Sequence, residues 1–160
     1  MKEYNHTTKF HSYQWDELTE AQRAILTIAK EQVNHSYCPY SHFHVGAAAQ
    51  LANGVVIRGC NQENAAYPSG LCAERSALFA AGAQYPDQPV EMLAIACYTG
   101  GHFTKKPGSP CGGCRQVMIE TEHRYGGKMQ VLLYGDEETY VFECAADLLP
   151  LIFVSENLKG

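Results

Sequence analysis

Apolar residues recur at helical spacing through Leu18, Ala21, Ile25, Ile28, Ala29 and Val33, which predicts an amphipathic helix from about Glu20 to His35. Thr19 and Gln22 form a T-x-x-Q capping box at its start, and Pro39 ends it. The pattern then shortens. Val45 to Leu51 and Val55 to Cys60 flank Asn53-Gly54, a strong signal for a two-residue hairpin. A second helix is predicted over Leu71 to Gly82, where Ala73, Ala77, Leu78 and Ala81 can pack. Met92 to Cys97 is a short apolar run bounded by turn residues, hence a buried strand. A loop from Tyr98 to Pro110 carries Gly100-Gly101 and Pro107-Gly108. Beyond it lie a third helix over Cys111 to His123, strands over Met129 to Tyr134 and Thr139 to Glu143, and a short helical turn over Ala145 to Leu149.

Strands alternating with helices predict an α/β fold, a three-layer α/β/α sandwich around a mixed five-stranded sheet. No repeat or low-complexity tract interrupts it. Residues 1–17 read as a loosely ordered N-terminal arm, and residues 18–160 as a single domain. At 160 residues the chain is long enough to build one sizeable core.

Composition narrows the partners. The formal net charge is −5 and the Lys and Arg are scattered, so the basic track that a nucleic-acid polymer requires is absent. A free small molecule is the expected substrate. Met1 to Asp16 has no apolar h-region, and no apolar run approaches the roughly 20 residues of a membrane span. These features predict a cytoplasmic, reducing setting, in which the seven cysteines more often bind metal than form disulfides. Cys38, Cys60, Cys97 and Cys144 lack metal-like spacing and read as small buried hydrophobes.

The remaining three cysteines stand in two clusters, Leu71-Cys72-Ala73-Glu74-Arg75 and Pro110-Cys111-Gly112-Gly113-Cys114. Both fall where a helix should begin, and there the unsatisfied N–H groups and the helix dipole favour thiolates. Cys111 and Cys114 are three apart, so their sulfurs share a helix face. A closed structural zinc site takes four protein ligands, whereas a catalytic one keeps a position for water. Three sulfurs with no fourth cysteine or histidine close by suit the second kind, with Glu74 left to handle that water's protons. Three thiolates on one Zn2+ leave a charge near −1, which Arg75 can offset by hydrogen bonding to sulfur. A lone C-x-x-C is often a redox pair or half of a structural site; the Cys72-x-Glu74 partner, Pro110 and Arg115-Gln116 weigh against both. His42 and His44 form an H-x-H that is not expected to bind metal, and His6, His11, His35, His102 and His123 read as surface or loop residues.

A C-x-E followed by P-C-x-x-C is the known three-cysteine signature of the zinc deaminases. Together with Phe43-His44-Val45-Gly46-Ala47-Ala48, Gly59-Cys60-Asn61-Gln62-Glu63-Asn64-Ala65 and Pro110-Cys111-Gly112-Gly113-Cys114-Arg115-Gln116, it makes the chain resemble the small cytidine deaminases of pyrimidine salvage. The likeness runs from about Leu18 to Leu158. It implies one Zn2+ per chain on Cys72, Cys111 and Cys114, with Glu74 as the proton-transfer group in hydrolytic deamination of cytidine and deoxycytidine. By the same resemblance Asn61 and Glu63 bind the ribose 3′-hydroxyl, and Phe43 lines the base pocket. Ala65 and Ala73 lend backbone groups to the base edge, and Ser109 offers its carbonyl to the amine. A homotetramer is implied too, in which Phe153, from the tail Leu148-Leu149-Pro150-Leu151-Ile152-Phe153, enters a neighbouring subunit's base pocket.

The residue types agree with that assignment. Asn61 and Glu63, two apart after a strand, can point the same way, and an amide with a carboxylate suits a sugar hydroxyl. A carboxylate there repels phosphate, which favours a nucleoside over a nucleotide. The Tyr98–Pro110 loop, with Lys105-Lys106, and the N-terminal arm are longer than in most small relatives, so substrate breadth is open. The rivals are a blasticidin-type deaminase, which lacks the Asn-x-Glu-Asn run seen at Asn61 to Asn64, and a non-catalytic zinc module of the same fold.

Overall fold

The structure, a computed structural model, describes residues 1–159. In chain order its strands and helices are β1 (His11–Tyr13), α1 (Glu20–Gln32), β2 (His44–Leu51), β3 (Val56–Cys60), α2 (Ala73–Gln84), β4 (Val90–Thr99), β5 (His102–Phe103), α3 (Gly112–Tyr125), β6 (Gln130–Tyr134) and β7 (Thr139–Phe142). The capping box forms as the sequence suggests: Gln22 N donates to Thr19 Oγ1 at 3.2 Å, and Thr19 N donates to Gln22 Oε1 at 3.0 Å. Val33 to His35 continue α1 as a tighter 3-10 turn. At the Asn53-Gly54 hairpin, Gly54 adopts φ +83°, a value that favours glycine.

The sheet runs in the order β1-β7-β6-β4-β2-β3, with β5 on β4. Of the strand pairs among the described residues, β4–β6 is parallel and the others are antiparallel. The α/β class and the mixed sheet are as expected, but the sheet has seven strands where five were read. Two short strands account for the difference. In β1, His11-Ser12-Tyr13 has no apolar alternation and is extended because it pairs with β7. The pairing joins this stretch of the N-terminal arm to the sheet. β5 follows a turn in which Gly100 and Gly101 take φ +61° and +87°, folding Phe103 back onto Tyr98.

Two apolar clusters face opposite sides of the sheet. On one side Ile25, Leu26, Ala29 and Val33 of the first helical stretch pack on Ala48, Ala94, Ala96 and Leu132. On the other, Ala77, Leu78, Met118 and Ile119 from α2 and α3 pack on Ala47, Ala49, Leu93, Ile95, Val131 and Leu133. Odd and even strand positions divide between the layers, as the pleat requires. Each crossover, β3-α2-β4 and β4-α3-β6, starts its helix just beyond the carboxyl end of a strand. Open α/β sheets hold their ligands at that end.

Candidate active site

Cys72 and Cys111 are the N-cap residues of α2 and α3, and Cys114 lies in the first turn of α3. The two caps stand one residue ahead of the first helical turn in which the sequence placed them. Their backbones remain extended, and neither thiol makes a capping hydrogen bond to its helix. The Sγ atoms of Cys72 and Cys111 are 4.0 Å apart and those of Cys111 and Cys114 are 3.5 Å apart. Tetrahedral zinc with bonds of about 2.3 Å to sulfur separates its ligands by about 3.8 Å, so this set fits zinc. Among the described residues it is the only group of three or more possible ligands close enough to share an ion. His42 and His44 are outside it. The His44 ring instead meets Ser36 Oγ at 2.7 Å and Cys38 Sγ at 3.2 Å.

The charges support a bound cation. The hydrogen bond from Cys114, then the Arg75 guanidinium, pull the Cys72 thiol down to about 5 against burial. Cys114 is pushed the other way, first by that same bond to Cys72 and then by burial and Glu74. Three crowded sulfurs do not all ionise without a positive centre among them. Arg75 supplies part of that charge: its Nη2 donates to Cys72 Sγ at 3.5 Å, while its Nε is buried without a partner.

Glu74, second in α2, is only 5 % exposed. Burial raises its proton affinity, and the neighbouring Cys72 charge adds to the effect. A solvated helix-start carboxylate would show neither feature. Beside it, burial and Glu74 push the Cys97 thiol up to about 12.

Cys72, Glu74 and Cys111 open onto a cleft of about 370 Å3. Of the other residues singled out in the sequence, Phe43, Asn61, Glu63, Ala73 and Ser109 line it as well. Asn61 carries out a task at the cleft mouth that the sequence did not reveal. Its Oδ1 accepts from Val45 N and its Nδ2 donates to the Phe43 carbonyl, each at 2.8 Å, so it joins the end of β3 to the start of β2. Glu63 accepts from the backbone N–H groups of Tyr40 at 2.9 Å and Ser41 at 3.3 Å. The Ser41 hydroxyl, followed by these N–H groups, holds its carboxyl below the usual carboxylate range. Ser41, Val45, Ile95, Cys97 and Gly108 complete the wall. Sequence reasoning missed them as site residues; Val45, Ile95 and Cys97 carry only a strand pattern. Gly108 had a turn signal, and its role is close approach: a Cβ there would stand 2.6 Å from Cys97 Sγ.

Two residues lie elsewhere in the single chain. Ala65 is exposed beyond Asn64 and is not part of the cleft wall. Phe153 is 55 % exposed, with its carbonyl accepting from Gln116 Nε2 of α3 at 2.7 Å. Of the four cysteines outside the cluster, Cys38 and Cys97 are buried and Cys60 and Cys144 half-buried. No described helix is long and apolar enough to cross a membrane.

Residues 19–125 match the family model described as the cytidine and deoxycytidylate deaminase zinc-binding region. Cytidine deaminase of Halalkalibacterium halodurans is 42% identical over 128 residues, covering 78% of this chain and 87% of that protein. Cytidine deaminase of Sporosarcina psychrophila is 41% identical over 139 residues, covering 84% and 93%. The crystal structure of cytidine deaminase from Burkholderia pseudomallei aligns with a TM-score of 0.69 at 40% identity, covering 85% of this chain and 100% of that one. The family model spans both cysteine clusters and the strands between them, and with the sulfur geometry it places this chain in the zinc-binding cytidine and deoxycytidylate deaminase family.

Proposed function

We propose that the chain catalyses hydrolytic deamination of cytidine and deoxycytidine to uridine and deoxyuridine. The observation that carries this is a buried Glu74 beside three clustered sulfurs, on a cleft whose mouth presents Asn61 and Glu63. Cys72, Cys111 and Cys114 would hold one Zn2+ per chain. When bound, zinc supplies a Lewis acid that makes water a nucleophile at neutral pH.

Glu74 manages the protons. It takes one from the attacking water and delivers it to ring N3, then carries the proton of the new C4 hydroxyl to the departing amine as the C4 carbonyl forms. Its raised proton affinity suits a group that must both take and return a proton. Carbon 4 thereby exchanges its amino group for oxygen, and ammonia leaves. Arg75 tempers the sulfur charge.

Phe43, Val45 and Ile95 form an apolar wall for the base. Glu63 and the second N–H of the Asn61 amide meet the ribose 3′-hydroxyl. Cytidine and deoxycytidine share that hydroxyl, and Glu63 disfavours a phosphate. Ala73 and Ala65 contribute backbone groups to the base edge, and the Ser109 carbonyl receives the amine. The apolar tail supports a homotetramer in which Phe153 enters a neighbouring pocket, since Leu151, Ile152 and Phe153 are 98%, 39% and 55% exposed in the single chain. Pyrimidine salvage in the cytoplasm is the setting this activity would serve.

The test is metal analysis of the purified chain together with ammonia release from cytidine, deoxycytidine, cytidine monophosphate and cytosine. About one zinc per chain and turnover of both nucleosides are expected, with the monophosphate and free base much poorer. Zinc without ammonia release from either nucleoside would favour the non-catalytic module, and preference for the monophosphate would overturn the substrate assignment.

A further inference from the structure

Three aromatic rings from three separate segments surround the Lys30 ammonium of α1. Its Nζ lies 4.1 Å from the Tyr134 ring centroid, 4.9 Å from that of Phe103 and 5.1 Å from that of Trp15. Phe103 and Trp15 each meet Tyr134 edge-on, at 5.4 Å and 6.0 Å. Nζ also donates to the Tyr134 hydroxyl at 2.9 Å, and that hydroxyl donates to Asp136 Oδ1 at 2.8 Å. A cation shared by several ring faces attracts them all at once, more strongly as water is excluded.

The residues this box fixes lead to the cleft. Asp136 N donates to the Thr104 carbonyl at 2.9 Å, and Glu137 N to the Lys105 carbonyl at 3.0 Å. Gly135 sits so close beneath the loop that a Cβ would be 2.6 Å from the Lys105 carbonyl oxygen and 2.7 Å from Pro107 N. The next residues along the chain, Gly108 and Ser109, are cleft wall. Thr104 N donates to the Cys97 carbonyl of β4 at 3.0 Å, while Thr104 Oγ1 is buried with no partner. The loop is thus seated on β4 and on the Gly135–Glu137 turn.

We propose that Lys30, which does not line the cleft, is a positioning residue for it. By gathering Trp15, Phe103 and Tyr134, it fixes the Tyr134–Asp136 turn and through it the loop that carries Gly108 and Ser109. The kinetic part of this inference rests on the proposed deaminase reading; the part about loop order does not.

Hydrogen exchange at the amides within residues 104–109 (Pro107 having none), zinc content and cytidine kinetics are compared in Lys30→Met, Lys30→Arg and Phe103→Leu. Lys30→Met should keep its zinc, exchange faster at 104–109 and raise KM by about tenfold, a modest value for a group displaced by a remote change. Lys30→Arg, which keeps a cation over the rings, should restore most of both, and Phe103→Leu should reproduce the defect. Should Lys30→Met fail to fold, Phe103→Leu carries the same comparison. Wild-type exchange at 104–109 with wild-type KM overturns the inference, whatever the change in Tm. If the wild-type chain deaminates no nucleoside, the functional reading fails, and the exchange data alone decide the role of Lys30.

Discussion

A methyl group on Gly59 would stand 2.6 Å from the carbonyl oxygen of Ala73, and equally close to the backbone nitrogen of Ala77. Strand β3 therefore presses directly on the first turn of α2, with no side chain between them. That contact fixes Cys72 and Glu74 relative to Asn61 and Glu63, which follow β3 on the same cleft. The cysteine cluster and the Asn61–Glu63 side of the cleft are thus set by one backbone-to-backbone approach.

Gly59→Ala tests it. Both obstructing atoms are backbone, so α2 must shift, and overpacking of this kind typically costs about 1–3 kcal/mol. The variant should melt lower and lose zinc more readily to a chelator. Wild-type Tm with wild-type zinc retention would show that the strand and helix can part without consequence.

Glu74→Gln separates proton transfer from metal binding. The amide fills the same volume and still hydrogen-bonds, but it carries no exchangeable acid. About one zinc per chain should remain, with kcat reduced by at least about 10²-fold, the low end for general acid–base catalysis. Loss of the metal, or near-normal turnover, would reassign Glu74.

The Glu63 carboxyl is held below the ordinary range by the Ser41 hydroxyl and the Tyr40 and Ser41 N–H groups. Because the folded pKa is depressed, the carboxylate and the bonds it accepts are intact above the usual value near 4.3 and are lost only as pH falls through the lowered one. The cytidine KM should stay level from neutral pH down to the ordinary carboxylate range and rise only at pH below that range. Glu63→Gln should bind more weakly and lack that acid limb; a KM unchanged in Glu63→Ala would remove the residue from the site.

Phe153→Ala addresses the neighbouring-subunit assignment. Stacking of a base on an aromatic ring is worth about 1–3 kcal/mol, so KM should rise about ten- to a hundredfold with zinc content intact. Sedimentation at assay concentration supplies the second readout. A fully active monomer would rule out a shared pocket.

Local features carried much of this protein's architecture in the sequence itself. The Thr19–Gln22 box, the Asn53-Gly54 turn and the period of each apolar run depend on neighbours within one helical turn or one hairpin. Each element consequently formed close to where the pattern placed it. The cysteine spacing belongs with these, because Cys111 and Cys114 meet between a helix cap and the first turn that follows it.

What required the tertiary structure is whatever joins distant segments. β1 exists because β7 has a free edge, and its own three residues carry no strand pattern. The burial of Glu74, which raises its proton affinity, comes from packing between layers; its place near a helix start suggests only an exposed carboxylate. Asn61 spends its amide on Phe43 and Val45, more than fifteen residues away, and Lys30 gathers rings from three segments. Such contacts arise when layers close on one another, and no fixed interval along the chain announces them. The sequence alone determined which chemistry was available, and closure of the layers decided which groups meet in one cleft and how deeply Glu74 is buried there.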